Sequence, residues 1–174
     1  MQVRKIIYIL SVALLAGQVN ALADAYRIEI LMGEPSSDAH IGSGWGHAEQ
    51  HTPPSFRWLL HLEADIQIEL DAVRDMELEW VGAAAHLAWR RQRIALYING
   101  RFAQEWGMPG DPEFHSFRAE IPATYWREGT NRLTWRAAYR TRLGRSQREF
   151  AVAIHSIVLR AIDSLADELD TAGR

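Results

Sequence analysis

The sequence is most informative between residues 94 and 106, which read IALYINGRFAQEW. Two segments with a period of two, Ile94 to Ile98 and Phe102 to Trp106, lie on either side of Asn99-Gly100. Such alternation is typical of a β-strand with one buried and one exposed face. A type I′ turn needs positive φ at both central residues, and Asn and Gly tolerate it best. These residues therefore predict a β-hairpin.

The same period recurs along most of the chain. It is found in residues 26–32, 66–70, 76–80, 117–121 and 133–137, and in a long last segment near 150–162 that is expected to change face midway. About eight or nine short strands between turn residues predict an antiparallel all-β sandwich or barrel. Most acidic residues between 63 and 79 alternate with apolar ones, so they are expected on solvent-facing strand surfaces.

Two Gly- and Pro-rich stretches, residues 33–55 and 106–113, interrupt this pattern and are predicted to be irregular. Loops of this length usually carry function or cover a sheet edge. Residues 139–148 are also expected to form a loop, and residues 163–174 a short surface helix or frayed tail.

Composition excludes several classes of protein. The chain has 174 residues, of which 48% are hydrophobic and 24% charged, with no cysteine. That length fits one domain, and that composition is not that of a disordered or collagen-like chain. The formal net charge of −3 argues against a nucleic-acid partner. No apolar run reaches about 18 residues, so no membrane span is expected in the mature chain.

The first 23 residues resemble a secretory signal peptide. Arg4 and Lys5 precede an apolar stretch from Ile6 to Gly17, and Ala21-Leu22-Ala23 suits signal peptidase. We therefore expect a leader at 1–23, a sandwich domain at 24–162 and the tail beyond it, in a periplasmic or secreted protein. Cleavage would lower the formal charge to −5. A retained N-terminal anchor is the alternative.

Several motifs in order carry a family resemblance. They are Gly44-Trp45 with Glu49, Phe56-Arg57-Trp58, residues 95–100 (ALYING), residues 117–122 (FRAEIP) and residues 128–133 (EGTNRL). Together they resemble galactose-binding-domain-like jelly-roll β-sandwiches, which are often appended to carbohydrate-active proteins. The resemblance covers most of residues 40–160. It implies a jelly-roll sandwich and a sugar-binding or accessory module, although many members of the group are purely structural.

Four residues in the first of these motifs are candidate ligand contacts. Trp45 and Trp58 can stack on a sugar ring, while Glu49 and Arg57 can bond its hydroxyl groups. Equally, the tryptophans can cap the core, and an Arg57–Glu49 ion pair can fasten the long loop to the first sheet. Both interpretations stay open on the sequence alone.

The arginines form two clusters. One holds Arg132, Arg136, Arg140, Arg142, Arg145 and Arg148 without an acid among them, and the other holds Arg90, Arg91 and Arg93. Planar guanidinium groups suit a carboxylate-bearing or phosphate-bearing glycan, and Arg140, Arg142 and Arg145 are the predicted contacts. The alternative is cross-strand pairing with the acids of residues 63–79.

Catalytic signals are weak. His47 and His51 lie four residues apart near His40, but flanking Gly46 and Thr52-Pro53-Pro54 leave at most one helical turn for a metal site. No cysteine or Gly-x-Ser-x-Gly elbow is present. Carboxylate pairs are abundant but follow the strand pattern. We therefore predict no catalytic residue, metal or cofactor.

The sequence thus favours an exported, non-enzymatic β-sandwich module that binds carbohydrate or assists envelope or exopolysaccharide assembly. The polysaccharide partner is expected to be anionic. The alternatives are a structural, partner-binding subunit of an envelope complex and, more remotely, a metal-dependent or carboxylate-pair hydrolase.

Overall fold

The computed structural model describes residues 26–50, 53–85, 90–144 and 147–162. The predicted leader and C-terminal helix, His51 and Arg145 lie outside these residues. The described chain forms antiparallel strands in two main sheets with a common apolar core. The predicted all-β, antiparallel sandwich is confirmed.

The first sheet contains the strands nearest both chain ends. Its spatial order is β2 (Trp45–Glu49), β3 (Phe56–Leu59), β12 (Val152–Ala161), β5 (Met76–Ala84) and β8 (His115–Ile121). Strand β1 (Arg27–Leu31) pairs with β12 beyond the part that β3 uses. The register of β12 against β5 shifts between Ile154 and Ser156, in the strand that was predicted to change face.

The second sheet has the order β4 (Glu63–Leu70), β9 (Gly129–Ala137), β6 (Arg93–Ile98) and β7 (Arg101–Gly107). A separate short hairpin consists of β10 (Thr141–Arg142) and β11 (Glu149–Phe150). Two short 3₁₀ helices, Pro35–Ala39 and Ala123–Tyr125, lie in connections.

The turn between β6 and β7 has the predicted backbone. Asn99 has φ of 52° and Gly100 has φ of 83°, as a type I′ hairpin requires. The Asn99 side chain also donates to Asn131 Oδ1 at 2.9 Å and accepts from the Arg132 amide at 3.1 Å. The turn residue is thus tied to the neighbouring strand β9 as well as to its own hairpin.

The core lies between the sheets and is rich in aromatic rings. Trp80 of β5 and Trp135 of β9 are fully buried. The Trp80 ring stacks on Phe117 of β8 at 4.3 Å, and its centroid lies 5.1 Å from Trp135 and 5.5 Å from Trp106 of β7. Both sheets therefore contribute to one aromatic cluster.

Two stretches are more regular than the sequence suggests. Residues 33–55 were predicted to be irregular, yet they contain the first 3₁₀ helix and β2, and Ile41 forms a bridge with Ile66 of β4. Residues 139–148, predicted to be a loop, include β10 and run into β11. The described residues thus add very short strands to the eight or nine that alternation indicates.

Candidate functional site

Several connections meet at one end of the sandwich. We call residues 90–92, 108–114, 138–144 and 147–151 the loop end. The Met108 amide donates to the Gln92 carbonyl at 2.9 Å, and the Gln92 side chain donates to the Tyr139 carbonyl at 2.8 Å. The opposite end, with Asn99-Gly100 and residues 122–128, is the turn end.

The loop end brings parts of the two arginine clusters together. The Arg90 guanidinium lies over the Tyr139 ring, 4.7 Å from its centroid, and the Tyr139 hydroxyl donates to the Arg90 carbonyl at 2.5 Å. Burial raises the pKa of Tyr139, and the Arg90 charge opposes this effect. Arg140 follows directly along the chain. Arg90, Arg91, Arg140 and Arg142 are all exposed, so their charges face solvent at the same end of the molecule.

Arg140 forms two contacts within the protein but remains exposed to solvent. It pairs with Glu149 at 3.2 Å and donates to the Leu60 carbonyl at 3.2 Å. Arg142 lies opposite Glu149 in the β10–β11 hairpin. Among the described residues, neither Arg91 nor Arg142 has an ion-pair partner. The loop end therefore presents more guanidinium groups than carboxylates.

Other arginines follow the alternative interpretation and pair across strands. Arg136 of β9 bonds Glu63 of β4 at 2.8 Å, and Arg132 bonds Asp65. On the first sheet, Glu79 accepts hydrogen bonds from Arg160 and Ser116. The hydrogen bond from Ser116, aided by the charges of Arg118 and Arg160, outweighs burial and lowers the pKa of Glu79. Pairing with the acids of residues 63–79 thus accounts for Arg118, Arg132, Arg136 and Arg160, whereas Arg140 pairs with Glu149 of β11.

A row of aromatic rings, which we call the aromatic strip, includes side chains of strands β3 and β11. It consists of Phe114, Phe56, Trp58 and Phe150, with successive centroid distances of 5.6, 5.5 and 5.0 Å. Each ring is half-buried. Trp58 alternates with the fully buried Leu59, so its indole lies on the face away from the core. Phe150 directly follows Glu149 in β11, so the backbone of this strand connects the strip to the Arg140–Glu149 pair, although the two side chains point to opposite faces.

The aromatic strip lies over small side chains of the first sheet. Trp58 is opposite Ala153 of β12, and Ala153 is opposite Ala83 of β5. Both alanines are almost fully buried, because larger groups cover them. The rings meet at steep angles, so their exposed parts are edges and partial faces and not one flat platform.

Trp45 lies elsewhere, against the edge of the second sheet. Its half-buried indole donates to the Asp65 carbonyl at 2.8 Å. Gly44, with φ of 88°, lies so close to β4 that a Cβ there would be 2.1 Å from the Glu63 carbonyl oxygen. The indole does fold over backbone beside a glycine, as its flanking residues suggest. Trp45 is therefore held by contacts with the protein's own backbone.

Arg57 has different partners from those expected. It is 8% exposed, donates to the Met32 carbonyl at 2.7 Å and pairs with Asp38. The expected pair with Glu49 is wrong, because Glu49 lies opposite Phe56 in β2, and Arg57 is opposite Ala48. Neighbouring residues of a strand point to opposite faces. Glu49 is therefore exposed next to the aromatic strip, and Arg57 fastens the 3₁₀ helix from inside.

Asp65 and Gln92 are among the buried polar residues that sequence reasoning missed. Asp65, expected on a solvent-facing strand surface, is 6% exposed because Ser43 covers it and donates to Oδ2 at 2.9 Å. Gln92 is 1% exposed and bonds segments that are far apart along the chain. A Gln within an arginine-rich run gives no signal of this role in the sequence.

The two candidate metal ligands in the described residues, His40 and His47, do not share a helical turn. His47 is exposed on strand β2, and His40 Nδ1 bonds the Gln67 carbonyl at 3.0 Å. Within the described ranges, no group of three His, Cys, Asp or Glu side chains has the geometry to hold a metal ion. The described part of the chain also contains no helix that is long and apolar enough to cross a membrane.

Solved structures of low sequence identity share this architecture. The GH26-CBM35 β-(1,4)-mannanase of Podospora anserina gives a TM-score of 0.51 at 13% identity over 80% of this chain. This chain spans only 28% of that enzyme. The CBM36-1 domain of a multidomain xylanase from the hindgut metagenome of Trinervitermes trinervoides gives 0.50 at 9% identity, over 80% of this chain and 99% of the domain.

The chain has the jelly-roll β-sandwich fold of the galactose-binding-like type. The fold predicted from the ordered motifs is therefore confirmed. No protein-family model matches the chain, and no curated protein matches it by sequence. At such low identity the comparison defines the fold, so arguments about function depend on this chain's own residues.

Proposed function

We propose that this chain is an exported, non-enzymatic module that binds an acidic polysaccharide at its loop end. The observation that carries the proposal is the exposure of Arg90, Arg91, Arg140 and Arg142 at one end, which strand β11 connects to the aromatic strip. The carbohydrate-binding modules that share the fold support the carbohydrate part of the proposal.

The chemistry of these residues favours a polymer that bears carboxylates. A guanidinium group matches a carboxylate with two parallel hydrogen bonds. The partly exposed Trp58 and Phe150 offer apolar surface to the C–H groups of a sugar ring. The loop end holds five arginines against three carboxylates, Asp111, Glu113 and Glu149, so an acidic chain would be attracted to it although the whole protein is negatively charged.

Trp58, Arg140 and Arg142 are therefore the sequence-predicted contacts that we retain in this site. Glu49 adjoins the strip opposite Phe56 and is retained as a group that can accept sugar hydroxyls. Trp45 and Arg57 are better explained as structural residues, because their polar atoms bond the protein's own backbone.

The test compares polygalacturonate with its neutral methyl ester by isothermal titration calorimetry. The native protein is expected to bind the acidic polymer more tightly, and binding should weaken with salt, since exposed charges are screened over about 8 Å at physiological ionic strength. The triple variant R91Q/R140Q/R142Q should lose about tenfold or more in affinity. Its free energy of unfolding should stay within about 1 kcal/mol of the native value, as is usual for surface positions.

The matched control is R27Q/R101Q/R127Q, which removes the same charge at exposed positions of the turn end. It should bind like the native protein if the loop end is the site. Equal binding of the acidic polymer and its ester would contradict the preference for carboxylates. Absence of binding to every acidic and neutral polysaccharide tested would overturn the proposal.

A further inference from the structure

We propose that Gln92 is a positioning residue that fixes the two arginine-bearing segments of the loop end relative to each other. This inference rests on the proposed function and identifies the residue that makes the separate arginines one binding surface. Gln92 carries no charge and, at 1% exposure, cannot itself contact a polymer. Its effect on binding would be exerted through its neighbours.

Both polar atoms of the Gln92 carboxamide form hydrogen bonds with the backbone. Its oxygen accepts from the backbone amides of Arg93 and Ala138 at 3.1 Å and of Tyr139 at 3.3 Å. Its nitrogen donates to the carbonyls of Tyr139 at 2.8 Å and Ala151 at 3.4 Å. Three segments of chain that are distant in sequence are therefore held by one buried side chain.

Two of the three segments held by Gln92 carry the loop-end arginines of the proposed site. Arg90 and Arg91 immediately precede Gln92, and Arg140 follows Tyr139, with Arg142 two residues later. The Tyr139 hydroxyl bond to the Arg90 carbonyl adds a second link between the same segments. Beyond the last bond of the β6–β9 pairing, in which the Ala138 amide donates to the Arg93 carbonyl at 2.9 Å, Gln92 and Tyr139 hold the two arginine-bearing segments together.

Fixed spacing matters when one polymer must meet both pairs. If the pairs are held at a set distance, binding at one raises the effective concentration of the polymer at the other. Groups that are already ordered also lose less conformational entropy on binding. Without these bonds the two segments would be held only by the end of the β6–β9 pairing. The arginine pairs would then be less ordered relative to each other, and binding would be weaker and less sensitive to salt.

Only a side chain with both a donor and an acceptor can make this set of bonds. Gln92→Leu keeps a similar volume but leaves several buried backbone groups without their partner, so some loss of stability is expected. A structural effect of this kind must be separated from an effect on positioning. Asn131 offers the matched control for this purpose.

Asn131 is a buried amide of the same type at the turn end. It is fully buried, donates to the Arg127 and Gly129 carbonyls at 2.7 and 3.0 Å, and accepts from Asn99. Asn131→Leu should therefore destabilise the sandwich to a similar degree without disturbing the loop end. Both variants are studied at a temperature at which circular dichroism shows them folded.

The experiment measures binding of polygalacturonate over a range of salt concentrations, together with hydrogen exchange of backbone amides. Gln92→Leu should bind about tenfold more weakly than the native protein. Its affinity should depend less steeply on salt, and exchange should accelerate in residues 90–93 and 138–142 together. Asn131→Leu should keep the native affinity, salt dependence and loop-end exchange.

Native affinity and salt dependence in Gln92→Leu would overturn the inference, as would an equal loss of binding in Asn131→Leu. If the native protein binds no acidic polymer, the proposed function fails. Joint acceleration of exchange in both segments of Gln92→Leu would then still support their linkage through Gln92. Acceleration in neither segment, or in one alone, would refute that linkage.

Discussion

At the scale of single residues, Asp65 shows how a short segment changes the environment of a strand residue. Alternation puts this carboxylate on the outer face of β4, where solvent is expected. Residues 41–45 lie across the edge of that strand, however, and Ser43 joins Thr134 and Arg132 as donors to the carboxylate. Burial alone would raise the pKa of Asp65, but these hydrogen bonds and the Arg132 charge outweigh it and lower the pKa below 3.8.

This lowered pKa predicts a specific loss of stability in acid. The folded protein binds the proton less readily than the unfolded chain, so the stabilisation is fully present above the ordinary pKa and is lost as pH falls through the folded pKa. Asp65→Asn should cost about 1–3 kcal/mol at pH 7, because it removes the charged partner of Arg132. Urea unfolding between pH 7 and pH 2 should show the native curve converging on that of the variant.

The control for this measurement is Asp71→Asn, which removes an exposed carboxylate just beyond the same strand. Its free energy of unfolding should stay within about 0.5 kcal/mol of the native value at pH 7. Native and Asp65→Asn curves that run parallel over the whole pH range would show that the Asp65 charge does not stabilise the fold.

At the scale of secondary-structure elements, two glycines with similar backbone angles have different roles. Gly44 and Gly100 have φ of 88° and 83°. A Cβ at Gly100 would meet no atom within 4 Å, whereas one at Gly44 would be 2.1 Å from the Glu63 carbonyl oxygen. Gly100→Ala should therefore cost only the conformational term of about 1–2 kcal/mol.

Gly44→Ala should cost at least about 3 kcal/mol, because β2 and residues 41–45 must move away from β4 in addition. The difference in unfolding free energy between the two variants, measured with urea, gives the cost of the close approach to β4 separately from the cost of the backbone angle. Equal costs would mean that residues 41–45 do not lie on β4 in solution.

The same elements show which features the sequence can predict. Strands β4, β5 and β6 alternate clearly, because one face is buried and the other meets solvent. Strand β2 does not, since its residues include Gly46 and lie at a sheet edge with Arg57 beneath them. Its pairing depends on residues far along the chain, which local periodicity does not record.

For the candidate site, the sequence motifs and residue types predicted Trp58, Arg140 and Arg142 as contacts, and this stays a prediction. The sequence did not indicate that Phe150 would pack on Trp58, or that Gln92 would join distant segments. The first contact forms only when β3 and β11 come together, and the second only when the segments that precede β6, follow β9 and precede β12 meet. The residue types at the site can be read from the sequence, whereas contacts between distant segments cannot.

At the scale of the whole molecule, the two sheets are joined by aromatic rings. Trp80 is fully buried and lies within 5.5 Å, between ring centroids, of Phe117, Trp106 and Trp135. Trp80 and Phe117 belong to the first sheet, and the other two rings to the second. With no cysteine for a disulfide, this shared core is what makes the sheets depend on each other.

We therefore expect the sandwich to unfold as one unit and to be highly sensitive at Trp80. Trp80→Ala should cost about 3–5 kcal/mol, as for other buried aromatic residues, and Phe102→Ala, whose ring is 53% exposed, under about 1 kcal/mol. Trp80→Phe should cost less than Trp80→Ala, because it keeps most of the stacking on Phe117. It also removes a buried indole N–H that has no hydrogen-bond partner among the described residues.

In urea, tryptophan fluorescence and far-ultraviolet circular dichroism should give coincident transitions for the native protein. Two separate transitions would show that each sheet is stable without the ring contacts that join them.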